Sequence, residues 1–293
     1  MTFKQKIESD QFVWCGEIGP PQGCDGDVIR KKAQYFQGYV DAVNITDNQT
    51  AIVRLSSIAS AKILLDEGVE PIIQMTCRDR NRLAIQSDLL GAAALGIKNV
   101  LCLTGDYQTF GDHPEAKGVF DLDSIQLVAT VANMNNGFLL SGAEMKKPTQ
   151  FFIGAAANPF AQPFEMRLIR LYKKVEAGAR FIQTQPVFDL ELFERWMDQV
   201  VQMGLHEKAA ILAGVLPVKS AKALLYMKDE VPGVKINPEF IDRMNRSSDP
   251  KEEGIKIAVE IIQSLKKVKG VAGIHLMPVM WESIIPTIIQ AVK

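Results

Sequence analysis

Polar side chains follow most of the short apolar runs in this sequence. Glu17 comes directly after "FVWCG", and Gly19-Pro20-Pro21 then stops the chain from continuing as a strand or a helix. Comparable polar groups end the later runs: Thr46-Asp47-Asn48, Gln74, Thr76-Cys77-Arg78-Asp79, Thr104-Gly105-Asp106, Asn158-Pro159, Gln183-Thr184-Gln185, Pro217-Val218-Lys219 and His275. Acids, amides and hydroxyls of this kind suit a planar, hydrogen-bonding ligand, with one carboxylic acid to move a proton.

The motifs that several other kinds of active site require are absent from the sequence. The sequence has no GxSxG, HExxH or GxxxxGK[ST] motif, and no lysine lies inside an apolar run, which disfavours a Schiff-base aldolase. A metal site built from Asp47, Asp79 and Asp106 is conceivable, but no histidine accompanies these acids, so no metal is predicted. The four cysteines form no CxxC or Cys/His cluster, which predicts reduced thiols and no zinc or iron–sulfur site made by this chain alone.

Composition excludes several classes of partner. The chain has 293 residues with 33 basic and 34 acidic side chains mixed along it, so no basic stripe favours nucleic acid or a membrane surface. No apolar run approaches the roughly 18 residues that span a bilayer. The N-terminal "MTFKQKIESDQF" contains no apolar stretch typical of a signal peptide. We therefore expect a cytoplasmic protein.

Short apolar runs alternate with amphipathic stretches along the whole chain. Eight runs, apolar on both faces, predict parallel strands covered by helices: 12–16, 41–46, 70–76, 99–105, 150–156, 181–185, 210–217 and 272–277. Helical patterns fill the intervals, and Gly68, Gly96 and Gly178 stand where helices should end. This count predicts an α/β protein with a single (β/α)8 TIM-barrel domain over 1–293. A doubly wound open sheet is the alternative, but the first loop lacks GxGxxG.

A barrel would bring these polar strand ends to one mouth. Active sites of such barrels lie at the carboxyl ends of the strands. The loop over 105–124 is the longest insertion at that end and carries Tyr107, Phe110 and Phe120. Its length predicts a lid or a binding loop.

The motifs at these strand ends resemble those of the methylenetetrahydrofolate reductase family. The similarity rests on "GEIGPP", "VNITDN", "QMTCRDRN", "LTGD", "KKVEAGARFIQTQPVFD", "AGVLPV" and "GIHLMPVMWE", in that order, from about residue 12 to residue 290. It implies a catalytic barrel alone, without the C-terminal extension of the longer eukaryotic members.

The resemblance also implies roles for individual residues. It implies reduction of 5,10-methylenetetrahydrofolate to 5-methyltetrahydrofolate by hydride transfer from a reduced flavin, FAD or alternatively FMN. Glu17 matches the general acid, Asp106 the carboxylate near both flavin and pterin, and Gln185 the amide at the pterin edge. Trp281 stands where relatives place an arginine near the aminobenzoyl-glutamate. The positions expected to contact the flavin are Thr46, Gln74, Thr104, Gly105, Asp106, Asn158, Lys173 and Lys174.

The electron donor, the assembly and the reaction itself remain open at this stage. The resemblance is compatible with NAD(P)H or with a partner subunit that carries iron–sulfur clusters, and with a homo-oligomer or a hetero-complex. One alternative is a pterin-binding barrel that passes a methyl group to a corrinoid partner. Another is a non-catalytic scaffold subunit of a larger redox complex.

Overall fold

The computed structural model describes residues 1–231 and 234–293 and contains eight parallel strands in one closed barrel. The strands are β1 (Val13–Ile18), β2 (Ala42–Ile45), β3 (Pro71–Thr76), β4 (Asn99–Leu103), β5 (Phe152–Ala157), β6 (Phe181–Pro186), β7 (Ala210–Val215) and β8 (Val271–Leu276). Each strand pairs with its neighbour in sequence, and β1 also pairs with β8, where Cys15 faces His275. All eight predicted strands are confirmed, and this closing pair shows that the open-sheet alternative is wrong.

Helices surround the barrel. They are α1 (Phe3–Glu8), α2 (Asp27–Ala33), α3 (Ser57–Asp66), α4 (Arg82–Ala94), α5 (Ser124–Asn135), α6 (Phe164–Glu176), α7 (Leu190–Gln202), α8 (Leu205–Lys208), α9 (Ala221–Glu230), α10 (Pro238–Arg246), α11 (Pro250–Leu265) and α12 (Ile285–Val292). Gly68, Gly96 and Gly178 have φ of 74°, 88° and 124°, the left-handed conformation predicted for them. Within the two described ranges, no helix combines the length and apolar character needed to cross a bilayer.

The N-terminal helix α1 closes the lower end of the barrel. Phe3 is fully buried and meets Phe152 and Phe181 edge-on, with ring centroids 5.8 and 5.2 Å apart. The helix has only six residues, too few for a periodic pattern, and the sequence analysis missed it. A capping box formed by Thr2 and Gln5 was the available signal. Phe3 thus plugs the barrel interior at this end, beside a surface cavity of about 760 Å³, and the strand-end cavity described below opens at the opposite face.

The long loop after β4 packs against the neighbouring loops at the carboxyl end of the barrel. The backbone N–H groups of Val119 and Phe120 donate to the carbonyls of Arg78 and Cys77 at 2.8 and 3.1 Å. Tyr107 contacts Phe120 edge-on but remains 67% exposed. A role as lid or binding loop stays a prediction.

Candidate active site

A cavity of about 320 Å³ lies at the carboxyl ends of the strands. Side chains that alternate along the strands point into it, so its wall combines carboxylates, amides and hydroxyls with a few apolar groups. Its lining residues are Glu17, Thr46, Asp47, Asn48, Gln49, Gln74, Thr76, Arg78, Leu101, Leu103, Thr104, Gly105, Asp106, Ala156, Gln183, Thr184, Gln185, His275 and Met277. The structure therefore brings six predicted positions together with Glu17: Thr46, Gln74, Thr104, Gly105, Asp106 and Gln185.

Glu17 is held through one of its two carboxyl oxygens. Gln74 Nε2 donates to Glu17 Oε2 at 3.2 Å, and His275 Nε2 lies 3.4 Å from the same oxygen. The Glu17 side chain is 17% exposed. In the described ranges, Oε1 makes neither a hydrogen bond nor an ion pair. A carboxyl group in this arrangement can hold a proton on its free oxygen and pass it to a ligand in the cavity.

The turn after β4 places Asp106 at the cavity rim. Gly105 has φ of 96°, and a β-carbon there would lie 2.9 Å from Cβ of Arg78, so the turn requires glycine. Thr104 Oγ1 accepts from the backbone N–H of Ser124 at 3.1 Å, which fixes the start of α5 next to the turn. Asp106 is exposed, as suits a group that meets a ligand from the rim.

Two arginines after β3 form ion pairs with Asp79 and Asp47, two of the acids that the sequence analysis considered as metal ligands. Arg78 donates to both carboxylate oxygens of Asp79 at 2.8 and 2.7 Å. Arg80 donates to both oxygens of Asp47 at 2.7 and 3.2 Å. Across residues 1–231 and 234–293, no group of three or more His, Cys, Asp or Glu side chains is arranged to hold a metal ion.

A second cavity, of about 160 Å³, adjoins the first between β5 and α6. Ala156 and Gln185 line both cavities, and Asn158 lines the second, together with Arg167, Arg170 and Lys174. Lys174 Nζ donates to the carbonyl of Ala156 at 2.6 Å. Burial lowers the pKa of Lys174 to about 8, and the charge of Arg170 acts in the same direction. Three cationic groups around one small cavity suit an anionic ligand.

Two predicted site residues lie outside both cavities. Lys173 is exposed on α6 and lines neither cavity, although it is adjacent to Lys174 in sequence. Trp281 is half-buried, and Lys219 Nζ lies 5.5 Å from the centre of its ring. The same nitrogen donates to the carbonyl of Met280 at 2.8 Å. The structure thus places Trp281 after β8, outside the Glu17 cavity.

The sequence analysis named Gln183 and His275 among the polar strand ends but missed Asn44. Asn44 is completely buried, and its Nδ2 lies 3.3 Å from His275 Nδ1. Gln183 is 2% exposed and lies beside the Cys15 thiol, and neither atom of its amide makes a hydrogen bond of normal geometry among the described residues. Asn44 in "VNI" falls on the alternation that points into the barrel, and this alternation was the signal that could have identified it.

Known proteins resemble this chain in sequence and in fold. The sequence model of the methylenetetrahydrofolate reductase family matches residues 2–293. "Methylenetetrahydrofolate reductase 1" of Schizosaccharomyces pombe is 26% identical over 78% of this chain and 36% of its own length. "Methylenetetrahydrofolate reductase (NADH) 1" of Arabidopsis thaliana is 24% identical over 93% of this chain and 47% of its own length. This chain therefore spans less than half the length of either relative.

A solved structure supports the fold independently. An uncharacterized protein from Clostridium thermocellum, described as binding two copies of 5-methyl-5,6,7,8-tetrahydrofolic acid, superimposes with a TM-score of 0.67 over 99% of this chain and 97% of its own. Its identity is 14%, so this likeness shows the barrel fold and no more. The match of the family model over nearly the whole sequence goes further: the chain belongs to the methylenetetrahydrofolate reductase family.

Proposed function

We propose that this protein reduces 5,10-methylenetetrahydrofolate to 5-methyltetrahydrofolate, with Glu17 as the general acid. The observation that carries the proposal is the state of Glu17 beside a mixed polar cavity: Oε2 accepts from Gln74 and lies 3.4 Å from His275 Nε2, while Oε1 has no partner among the described residues. Family membership supplies the substrate class. The 5-methyltetrahydrofolic acid named for the Clostridium thermocellum structure is the product of this reaction.

The chain's own residues supply a proton and hold the ring. Glu17 gives its proton to N10 of the folate, and the bond between N10 and the methylene carbon then breaks with its electron pair on nitrogen. Asp106 and Gln185, both at the cavity wall, hold the pterin by accepting and donating hydrogen bonds. A bound flavin supplies the hydride that completes the reduction.

The two adjoining cavities fit a flavin. Such a ligand has a planar, hydrogen-bonding ring joined to an anionic phosphate chain, and the cavity walls offer matching chemistry in the same order. Thr46, Gln74, Thr104 and Gly105 line the first cavity, whereas Asn158 and Lys174 line the second. We propose FAD as the cofactor, and FMN shares the ring and the first phosphate.

The electron donor is NAD(P)H or a partner subunit that carries iron–sulfur clusters. Across the described residues, no three Cys, His, Asp or Glu side chains lie together as cluster ligands would, and Cys15, Cys77 and Cys102 are buried whereas Cys24 is exposed. Burial also raises the pKa of Cys77 to about 12, which keeps it protonated. Any iron–sulfur cluster would therefore belong to another chain.

An absorption spectrum of the purified protein tests the proposal. We expect a yellow protein with flavin bands that bleach on anaerobic reduction with dithionite and return when 5,10-methylenetetrahydrofolate is added. Release and chromatography of the cofactor identify FAD or FMN, and bleaching by NADH tests direct use of that donor. A protein that takes up neither flavin refutes the proposal. If that protein binds 5-methyltetrahydrofolate, a corrinoid-dependent methyl transfer becomes the better assignment.

A further inference from the structure

Three side chains form a contact chain inside the barrel, from Asn44 on β2 through His275 on β8 to Glu17 on β1. Asn44 Nδ2 lies 3.3 Å from His275 Nδ1, and His275 Nε2 lies 3.4 Å from Glu17 Oε2. The strand register explains the meeting: β1 lies between β8 and β2, with Cys15 opposite His275 and Glu17 opposite Asn44. Asn44 is fully buried and His275 is 3% exposed.

The contact with Asn44 decides which nitrogen of His275 carries the hydrogen. The structure directs the Asn44 NH₂ group at Nδ1 and leaves Asn44 Oδ1 without a partner among the described residues, so in this amide orientation Nδ1 of the imidazole accepts. A neutral imidazole then carries its hydrogen on Nε2, which is the nitrogen that faces Glu17. In this tautomer the N–H group of His275 lies on the side of the Glu17 carboxyl group, across a contact of 3.4 Å.

Two N–H groups then face one oxygen of Glu17. Gln74 Nε2 donates to Oε2 at 3.2 Å, and His275 Nε2 lies 3.4 Å from the same oxygen. An oxygen that accepts one N–H group and faces a second is a poor place for a proton, so the proton of the neutral carboxyl group belongs on Oε1. After the proton leaves, the same two N–H groups stabilise the carboxylate that remains.

We propose that His275, fixed by Asn44, is a positioning residue that directs the transferable proton of Glu17 to Oε1. This inference rests on the proposed function, in which Glu17 protonates the folate. The proton leaves Oε1 and bonds to N10, and His275 keeps its own hydrogen throughout. Asn44 contributes only through His275, and neither residue needs to touch the substrate.

Nitrogen NMR on the full-length protein tests the tautomer without any substrate. The chain has three histidines, so ¹⁵N-histidine labelling gives few signals, and His275→Gln identifies the one of interest. We expect the neutral form of His275 to carry its hydrogen on Nε2, and Asn44→Ala to change that signature. A hydrogen on Nδ1 in the wild-type protein would mean that the Asn44 amide is turned round, and this result would overturn the inference.

The positioning role is tested in a single turnover of the flavin-loaded protein. Reduced protein is mixed anaerobically with 5,10-methylenetetrahydrofolate, and flavin reoxidation is followed. We expect His275→Leu to lower the maximal rate about 10- to 100-fold, with little change in the half-saturating folate concentration. His275→Gln keeps an N–H donor and should restore most of the rate. Equal losses in both variants, or a loss that also appears with ferricyanide as oxidant, contradict the proposal.

A double substitution shows whether His275 acts through Glu17. Glu17→Gln should lower the folate-dependent rate roughly 10²–10⁴-fold. Adding His275→Leu to that variant should cause no further loss, because the group it positions is already gone. Additive losses, or full activity of Glu17→Gln, overturn the inference. Wild-type protein whose reduced flavin is not reoxidised by the folate refutes the proposed function instead, and the tautomer measurement is unaffected by that result.

Discussion

Asp47 and Arg80 form a buried two-point ion pair at the edge of the Glu17 cavity. Arg80 donates to both carboxylate oxygens of Asp47 at 2.7 and 3.2 Å, and Thr76 donates to Oδ2 from its backbone N–H and its hydroxyl at 2.9 and 2.8 Å. Asp47 follows β2, whereas Thr76 ends β3. The pair therefore joins two adjacent loops that form part of the cavity wall.

Breaking this pair should destabilise the protein more than breaking an exposed one. We expect Asp47→Asn to lower the free energy of unfolding by about 3 kcal/mol, because Arg80, only 15% exposed, would keep its charge with the half-exposed Asp88 as its remaining partner. Asp88 also accepts from Arg80, at 2.8 Å, but its side chain is 40% exposed, so Asp88→Asn should cost about 1 kcal/mol or less. Urea unfolding of the two variants measures the difference. Equal costs would contradict the importance assigned to burial.

Gly105 should be required for ligand binding as well as for the turn. Gly105→Ala places a β-carbon 2.9 Å from Cβ of Arg78 at a φ of 96°, so the turn that presents Asp106 must shift. We expect FAD affinity to fall by about tenfold, the effect of roughly 1.4 kcal/mol. Titration of the apoprotein by flavin fluorescence measures it.

Gly38 provides the matched control. It has φ of 77° and lies before β2 at the other end of the barrel, where a β-carbon would meet no atom within 4 Å beyond its chain neighbours. Gly38→Ala should destabilise the protein by about 1 kcal/mol through backbone strain while leaving FAD affinity unchanged. Loss of affinity in both variants would show that the effect is global.

Much of the fold and part of the site could be predicted from local pattern. Runs apolar on both faces located every strand, and their polar ends located Glu17, Gln74 and Asp106 at one mouth. The two-point pairing of Arg80 with Asp47 depends on loop conformation. Loops leave no periodic pattern in the sequence, so this pair could not be predicted. Helical periodicity could have shown that Lys174, unlike Lys173, lies on the inner face of α6, because Lys174 lies three residues after buried Leu171.

Replacing Gln183 by leucine should stabilise the fold and weaken ligand binding. Both atoms of its buried amide lack partners in the described part of the chain, and unsatisfied buried polar groups cost about 1–3 kcal/mol each. Because Leu101 and Leu212 also point into the barrel, Gln183→Leu should raise the unfolding free energy by about 1 kcal/mol. We expect the same variant to bind FAD or folate more weakly, because the hydrogen-bonding edge of the ligand would lose the Gln183 amide as a partner.

Asn99 gives the opposite expectation, because its buried amide nitrogen is paired, although Oδ1 has no partner among the described residues. Asn99 Nδ2 donates to Glu70 and to the carbonyl of Pro71, at 2.9 and 3.1 Å. Asn99→Leu should therefore destabilise the protein, because those acceptors lose their donor. Thermal unfolding of both variants, with parallel ligand titrations, tests the contrast. Destabilisation by Gln183→Leu would show that its amide is satisfied in the free protein.

Flavin affinity should fall as the pH rises above about 8. Burial holds the pKa of Lys174 near 8, below its ordinary value, so the free protein loses this positive charge above that pH. An anionic phosphate group in the neighbouring cavity favours the charged lysine, and binding above pH 8 must then take up a proton. We expect the dissociation constant of FAD to be constant between pH 6.5 and 7.5 and to rise by at most about tenfold per pH unit between 8 and 9.5.

Two lysine variants and one ligand isolate the cause of that pH dependence. Lys174→Met should weaken FAD binding at pH 7 and abolish the rise above pH 8, because the titrating charge is gone. Lys173→Met should preserve both the affinity and the pH dependence, since Lys173 is exposed and lines neither cavity. Riboflavin lacks the phosphate, so its weaker binding should not change over the same range. If instead Lys173→Met removes the pH dependence, the sequence-based assignment of Lys173 is right and the phosphate lies outside the cavity of Lys174.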